Sequence, residues 1–283
     1  MKTRDNITIV FIASRGAASL RQRLLVLSVR KFLPKSVRIL AVIPKHAVSL
    51  NSDTIELYEA LDVEIRSIAT PLYFKFNDRG LIKIDYLKSE QPSGRVILLN
   101  SGCIFTSRPE ISDLKESKNV FLANHAFGKS DEAEKLASEA QNRLQQSKPN
   151  EDKKSIPILN SGVVIYDGES SFADTWSNNC AEVVKRNIGG SFGLKAAEQI
   201  GLSLTALDDK LVLKNLPLKW NMTPRNSAQA TLVQYFDFAT LIREKHALAT
   251  VEDLSSEADE LGLNALGELT IRDLRSIARV TRL

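Results

Sequence analysis

The chain has 283 residues, of which 43% are hydrophobic, and this fits one large α/β domain or one domain with a small appendage. Its 38 basic and 34 acidic residues give a formal net charge of +4, a mild bias toward anionic ligands that does not itself indicate nucleic-acid binding. The first apolar run, Ile7 to Ala13, is too short for a membrane span, and two cysteines offer no disulfide framework, so we expect a cytoplasmic protein with reduced thiols.

The first seventy residues alternate between strand and helix patterns. Ile7 to Ala13 is a β-branched run, followed by a helix-spaced segment that Pro34 ends. A second strand follows at 37–43, a helix capped by Ser52 and Asp53 runs to Leu61, and 63–68 alternates as a third strand. This order predicts a nucleotide-binding α/β half with a mainly parallel sheet and right-handed crossovers.

The central strand is the clearest feature of the sequence. Val96 to Leu99 is an unbroken apolar run after a Pro-Ser-Gly turn, which is typical of a strand buried on both faces. Ligands of open α/β sheets bind beyond the carboxyl ends of such strands, so Asn100, Ser101 and Gly102 should lie at the mouth of a site.

The remaining elements follow the same alternation. We predict a helix at 81–87, strands at 119–123 and 157–166, helices at 172–186 and 196–202, and a turn at 216–221. Residues 130–154 are rich in charged and amide side chains, which indicates an exposed amphipathic helix and a polar loop. Apolar positions from Val251 onward predict two or three short helices.

Four motifs follow one another along the chain: Leu99 to Gly102, Asn160 to Gly162, Glu198-Gln199 and the turn Leu216 to Asn221. Together they resemble nucleotide-sugar glycosyltransferases of the GT-A fold, especially the glycogenin and lipopolysaccharide-galactosyltransferase group. The central strand ends in Leu99-Asn100-Ser101-Gly102, where that family has Leu-Asp-x-Asp. The other three motifs, in the family's order, are Asn160-Ser161-Gly162, Glu198-Gln199 and the turn Leu216 to Asn221. The resemblance implies an α/β GT-A domain at 1–244, with a mainly parallel mixed sheet flanked by helices, and a helical extension at 245–283.

The metal site of that family is altered in this sequence. The family holds Mn²⁺ with two aspartates and a histidine, whose positions are taken here by Asn100, Gly102 and Gln234. Divalent Mn and Mg prefer carboxylates, and Mn also binds imidazole, whereas an amide is a poor substitute and glycine offers no side chain. We therefore expect no divalent cofactor.

The resemblance also implies roles for individual residues. Gln199 would lie on the far face of the anomeric carbon, Glu198 would bind sugar hydroxyls, and Asn160 would contact the donor sugar or the acceptor. Lys83 would bind the donor phosphates or the sugar, although a solvated lysine on a helix face is the alternative interpretation. The full set expected to bind the donor is Ala13, Ser14, Arg15, Lys83, Asn100, Ser101, Gly102, Gly162, Lys219, Asn221 and Gln234. Arg225 is a further candidate cation, from a polar loop.

The sequence leaves two functions open. One is metal-independent transfer of a sugar from a nucleotide-sugar donor to an unknown acceptor. The other is a catalytically degenerate homologue that binds a nucleotide, a sugar or a protein. Residues 258–274 faintly resemble the helical module at the N-terminus of transcription terminator Rho, but we do not expect nucleic-acid binding; packing on the domain, on a second copy or on a protein partner is the alternative.

Overall fold

A computed structural model describes most of the chain. The described residues are 6–14, 17–45, 50–76, 80–110, 119–124, 135, 138–140, 142, 159–188, 197–208, 210–235, 238–266, 270 and 272–273. Arg15 therefore lies outside them, as does most of the segment for which the sequence predicts a polar helix.

The described residues form nine strands and eight α-helices. The strands are β1 Ile7–Ile12, β2 Arg38–Pro44, β3 Val63–Ile68, β4 Arg95–Leu99, β5 Cys103–Phe105, β6 Asn119–Asn124, β7 Leu159–Asp167, β8 Val212–Asn215 and β9 Leu232–Gln234. The helices are α1 Ala17–Phe32, α2 Ser52–Ala60, α3 Pro71–Phe76, α4 Leu81–Leu87, α5 Phe172–Lys185, α6 Ala197–Thr205, α7 Phe238–Arg243 and α8 Lys245–Glu260. Short 3₁₀ turns occur at Leu218–Trp220 and Pro224–Gln229.

The main sheet has the strand order β3-β2-β1-β4-β7-β6-β8. The first four strands in that order are parallel, whereas β7 is antiparallel to both β4 and β6. The chain winds outward from β1 through β2 to β3 and then returns to the other side of β1 as β4. The direction of winding reverses between β1 and β4, and this is where open α/β sheets form their ligand crevice.

Helices cover both faces of this sheet. Alternate residues of β4 point to opposite sides, so Ile97 and Leu99 pack in one hydrophobic cluster and Val96 and Leu98 in the other. All four side chains are essentially inaccessible to solvent. The mixed, mainly parallel α/β fold expected from the sequence is confirmed, including the central strand buried on both faces.

The C-terminal helix α8 packs against α1 in the first of these clusters. Val251, Leu254 and Ala258 are buried there at one helical turn spacing. Lys31 near the end of α1 pairs with Asp253 at 2.5 Å and also with Glu257. Burying the Val and Leu side chains contributes about 1.5 to 3 kcal/mol each, so α8 adds substantially to the packing of α1.

The structure also contains elements that the sequence did not predict, namely strands β5, β8 and β9 and helix α7. Helix α8 begins at Lys245, before the predicted start of the helical tail at Val251. Helix α3 was not predicted, and the N-cap of α2 is Asn51, whose side chain accepts from the Thr54 amide, rather than Ser52 or Asp53. Asp85 explains α3, because its carboxylate accepts from the amides of Leu72 and Tyr73 in the first turn. Among the described residues, no helix has the length and apolar character needed to cross a bilayer.

Candidate functional site

A cavity of about 230 Å³ opens at the carboxyl ends of β1 and β4. Ile12 closes the end of β1, and the segment from Leu99 to Gly102 follows β4. This is the point where the winding of the sheet reverses, so the cavity lies where the fold places a ligand. Its described lining consists of Ile12, Arg21, Gly80, Lys83, Leu99, Asn100, Ser101, Gly102, Glu198, Gln234 and Tyr235.

Lys83 makes three hydrogen bonds at this cavity. It is only 4% exposed. Its Nζ donates to Glu198 Oε1 at 2.5 Å, to the Ser161 carbonyl at 2.6 Å and to Asn100 Oδ1 at 3.1 Å. The three acceptors match the three donors of an ammonium group. The alternative of a solvated lysine on a helix face is wrong.

Trp176 contacts both residues of this ion pair. Its buried ring lies 5.5 Å from the Lys83 ammonium, within range of a cation–π interaction. Its indole N–H donates to the Glu198 carbonyl at 3.1 Å, which ties α5 to the first turn of α6. Lys83 and Glu198, which are 115 positions apart in sequence, are therefore held rigidly by two different helices and a buried aromatic ring.

The residues at the three positions where the resemblance implies metal ligands make other contacts. The Asn100 amide oxygen accepts from Lys83. Gly102 has no room for a side chain, because a Cβ there would lie 2.2 Å from the Tyr235 carbonyl oxygen. No group of three His, Cys, Asp or Glu side chains suited to a metal occurs among the described residues. Asn100, Gly102 and Gln234 thus bring neither a carboxylate nor an imidazole, the donors that Mn²⁺ binds well, to these three positions.

Gln234 is the third of these positions, and it also lines the cavity. It is 5% exposed, and its Oε1 has no hydrogen-bond partner in the described part of the chain. Its side chain lies against Gly162, where an added Cβ would come within 2.4 Å of three Gln234 atoms. Gly162 is therefore needed to admit the Gln234 amide, which leaves a buried polar atom at the cavity wall.

The Asn160-Ser161-Gly162 motif joins the central strands at the cavity. Asn160 Oδ1 accepts from the Gly162 amide at 2.6 Å, and the Gly162 carbonyl accepts from the Asn100 amide at 2.9 Å. Asn160 is buried but is not part of the described lining. Ser161 and Gly162 act on the site through the Lys83 contact and the space for Gln234.

The structure brings together part of the predicted donor set. Lys83, Asn100, Ser101, Gly102, Gln234 and Glu198 share the cavity. Gln199 is half-buried beside Glu198 on α6, but it is not in the described lining. Ser14, at the end of β1, exchanges hydrogen bonds with the Gln22 side chain, while the Ala13 amide donates to Val42.

The predicted residues of the 216–225 segment are not in the described lining. Lys219 pairs with Glu110 at 3.3 Å on a partly exposed surface, and Arg225 is exposed. Both amide atoms of Asn221 are buried without a partner among the described residues.

Sequence reasoning missed five residues of the described lining, two of which have polar side chains. Arg21 reaches the cavity from α1, and Tyr235 follows β9. Burial raises the pKa of Tyr235 well above its usual value, and the positive charge of Arg21 acts in the opposite direction. The sequence does not distinguish Arg21 as a cavity residue, because Arg23 and Arg30 also lie between apolar residues on the same helix.

Comparison with known proteins identifies this architecture. The model of a Rhodobacterales glycosyltransferase domain matches residues 9–205. No curated protein sequence matches the chain significantly. The galactosyltransferase LgtC, solved with donor and acceptor sugar analogues, is 13% identical, with a TM-score of 0.55 over 88% of this chain and 95% of LgtC.

Two larger proteins are also among the solved structures that the comparison found. Apo GlyE, a glycosyltransferase of Streptococcus pneumoniae TIGR4, is 12% identical with a TM-score of 0.53 over 91% of this chain. Apo WbbM, a bifunctional glycosyltransferase, is 11% identical with a TM-score of 0.49 over 93% of this chain. The chain spans 64% of the GlyE chain and 52% of the WbbM chain.

Proposed function

The chain belongs to the Rhodobacterales glycosyltransferase domain family, and we propose that it transfers a sugar from a nucleotide-sugar donor without a divalent metal. The observation that carries this proposal is the Lys83 ammonium, held by Asn100 and Glu198 in the cavity beyond β4. A fixed cation therefore contacts the position where the sequence resemblance implies a metal-binding carboxylate. LgtC, which has this fold, was solved with donor and acceptor sugar analogues, and by analogy the donor is assigned to this cavity.

The transfer requires a leaving group that can accept an electron pair. An acceptor hydroxyl bonds to the anomeric carbon while the bond from that carbon to the diphosphate oxygen breaks, and the electron pair leaves on the diphosphate. The hydroxyl proton passes to the departing diphosphate or to water. Preorganised positive charge near that oxygen lowers the barrier, because it meets the charge that develops in the transition state.

Three further side chains have assigned roles in the proposal. Glu198 presents its second carboxylate oxygen to sugar hydroxyls while the first holds Lys83. Gln199 follows Glu198 on α6 and is assigned to the region of the anomeric carbon. Asn160 positions Gly162 and thereby the wall that faces the sugar.

The alternative is a catalytically degenerate binding module, and one observation favours it. Lys83 is already neutralised by Glu198 at 2.5 Å, so its charge is less available to a diphosphate than that of an unpaired lysine. In this case, nucleotide sugars would bind without turnover.

Turnover in the presence of EDTA distinguishes these functions. The assay measures release of nucleoside diphosphate from a panel of nucleotide sugars, with and without added Mn²⁺. We expect release in EDTA by the wild type, a loss of at least about tenfold in Glu198→Gln, and no loss in the exposed control Glu260→Gln. Release only after Mn²⁺ is added would overturn the metal-independent mechanism, and donor binding without release under both conditions would favour the binding module.

A further inference from the structure

Gln234 has an unsatisfied amide oxygen at the wall of the cavity. Its side chain is nine-tenths buried, and its Oε1 accepts no hydrogen bond from any described residue. Buried polar atoms in folded proteins are nearly always paired, and an unpaired acceptor lowers stability. An atom of this kind beside a cavity marks a place for a polar partner that the described part of the chain does not supply.

The main chain on both sides of Gln234 holds its side chain at this wall. In strand β9, which pairs with β5, the main-chain amide of Gln234 donates to the Met222 carbonyl at 2.8 Å. The Tyr235 amide donates to the Gly102 carbonyl at 2.7 Å. Gly162 leaves the space that the side chain occupies, because a Cβ there would lie 2.2 Å from Gln234 Nε2. The position of the amide is therefore fixed by its neighbours.

The chemistry of the unpaired atom restricts its partner. An amide oxygen needs a donor, whereas the phosphate oxygens of a nucleotide sugar are ionised at neutral pH and only accept hydrogen bonds. A hydroxyl both donates and accepts. The last torsion of glutamine is broad and roughly two-fold, so a hydroxyl matches the amide whichever of its two ends faces the cavity. The partner that fits Gln234 is therefore a hydroxyl and not a phosphate.

The size of the cavity indicates which part of the donor carries this hydroxyl. At about 230 Å³, the described cavity is smaller than the roughly 300 to 1,000 Å³ of sites that enclose a drug-sized ligand. It therefore fits one part of a nucleotide sugar. Glu198 lines the same cavity, and its carboxylate is assigned to sugar hydroxyls in the proposed mechanism. Two groups suited to hydroxyls in one small cavity indicate that this part is the sugar.

We propose that Gln234 binds a hydroxyl of the transferred sugar and thereby contributes to the choice of donor. This inference rests on the proposed function and assigns Gln234 to the sugar, not to the diphosphate or to a metal. The residue contributes binding and specificity, and it moves no proton. A site built to bond a hydroxyl rejects an analogue that lacks it, because the amide is then left unpaired.

Titration calorimetry in EDTA tests this assignment. UDP-glucose, UDP-galactose, UDP-N-acetylglucosamine, GDP-mannose and ADP-glucose are compared, each beside its free nucleoside diphosphate, for the wild type, Gln234→Met and Gln234→Leu. Methionine keeps the length of glutamine without its polar atoms. Gln229→Met is the matched control, because Gln229 is exposed on the turn Pro224–Gln229 and is not in the described lining.

The expected result separates the sugar from the diphosphate. Gln234→Met should bind the preferred nucleotide sugar about 3- to 10-fold more weakly, the range for a lost neutral hydrogen bond. Its affinity for the free nucleoside diphosphate should change less than about twofold, because the sugar is then absent. Without ligand, its urea midpoint should equal or exceed that of the wild type, since an unpaired buried acceptor has been removed. Gln229→Met should match the wild type in all three measurements.

Monodeoxy derivatives of the preferred nucleotide sugar locate the hydroxyl. Removing the hydroxyl that Gln234 binds should weaken wild-type binding about as much as Gln234→Met does. That loss should disappear in Gln234→Met, because the two changes remove the same contact. The other monodeoxy derivatives should lose equal affinity in both proteins. Additive losses at every hydroxyl would overturn the proposal.

Other outcomes contradict different inferences. Equal losses for the nucleotide sugar and the free diphosphate would overturn the assignment to the sugar, and a lower urea midpoint, or failure of both Gln234 variants to fold, would indicate a structural amide instead. Wild-type affinity of folded Gln234→Met would overturn the role of Gln234 and leave the proposed function intact. Binding by the wild type only with Mn²⁺ would overturn the metal-free mechanism and this assignment together. No binding of any nucleotide sugar would overturn the proposed function itself.

Discussion

Replacing Lys83 by methionine tests the central ion pair through stability. Methionine has a similar length and stays apolar, so it fills the space below Trp176 without supplying a charge or a donor. The substitution leaves Glu198, whose side chain is 17% exposed, without its cation, and removes the donor to Asn100 and Ser161. We expect Lys83→Met to lower the free energy of unfolding strongly.

The burial of the pair determines the size of the effect. Breaking a buried ion pair by removing one partner costs about 3 to 5 kcal/mol. The Lys83 side chain is 5% exposed, but Glu198 faces an open cavity, so we expect the lower end, about 3 kcal/mol. In a chain of this size, that loss lowers the melting temperature by about 6 to 12 °C.

A second lysine of the chain provides the control. Lys31 also binds carboxylates, but its partners Asp253 and Glu257 are 59% and 47% exposed. Lys31→Met should therefore cost about 1 kcal/mol or less. Both free energies are measured by urea unfolding at pH 7, followed by circular dichroism.

The double variant Lys83→Met/Glu198→Met completes the comparison. Because both charges are then absent, it should be more stable than the sum of the two single losses predicts, by at least about 1 kcal/mol. Single effects that add to within about 0.5 kcal/mol, or a Lys83→Met cost no larger than that of Lys31→Met, would refute the ion pair as described.

Three further predictions concern the same region of the molecule. Gly102→Ala should lower the free energy of unfolding in urea by about 1 to 3 kcal/mol, because its Cβ would meet the Tyr235 carbonyl; an unchanged urea midpoint would contradict this steric argument. Asn100→Asp should not create a tight Mn²⁺ site, since Glu198, the other carboxylate of the described lining, is bonded to Lys83 and the lysine would compete with the metal for both carboxylates. Micromolar Mn²⁺ affinity by titration calorimetry would disprove that view. Burial raises the pKa of Cys103 from 9.0 to about 12, so the folded state holds this proton more tightly and the free energy of unfolding should fall as pH rises from 9 to 12. Below pH 9, Cys103 and the equally buried Cys180 should react with a thiol reagent only in urea. Rapid reaction of the native protein would contradict the burial of these thiols.

The sequence predicted six of the seven strands of the main sheet because those six carry strong local patterns, whereas the short edge strand β8 was missed. The unbroken run Val96 to Leu99 and the alternating segment Val63 to Ile68 both became strands, β4 within Arg95–Leu99 and β3 at the predicted bounds. Helix α3 was missed because its cap comes from Asp85, more than ten residues downstream, and a tertiary cap leaves no local signal. The domain division at 244 stays a prediction.

The site was predicted less completely than the fold. Five of the residues selected from the motifs and their spacing line one cavity, namely Lys83, Asn100, Gly102, Glu198 and Gln234. That Lys83 would bond to Glu198 could not be predicted, because the contact depends on how α4 and α6 pack on the sheet. The roles of these residues in donor binding stay predictions until a ligand is measured.

The packing of α8 on α1 has a consequence for how the protein is made. The ribosome releases α1 early, yet Val251, Leu254 and Ala258, which cover part of its apolar face, emerge more than two hundred residues later. Until α8 has been synthesised, the nascent chain therefore exposes this part of the apolar face of α1. Contacts of such long sequence separation form slowly, so the unfinished polypeptide is the species most in need of a chaperone.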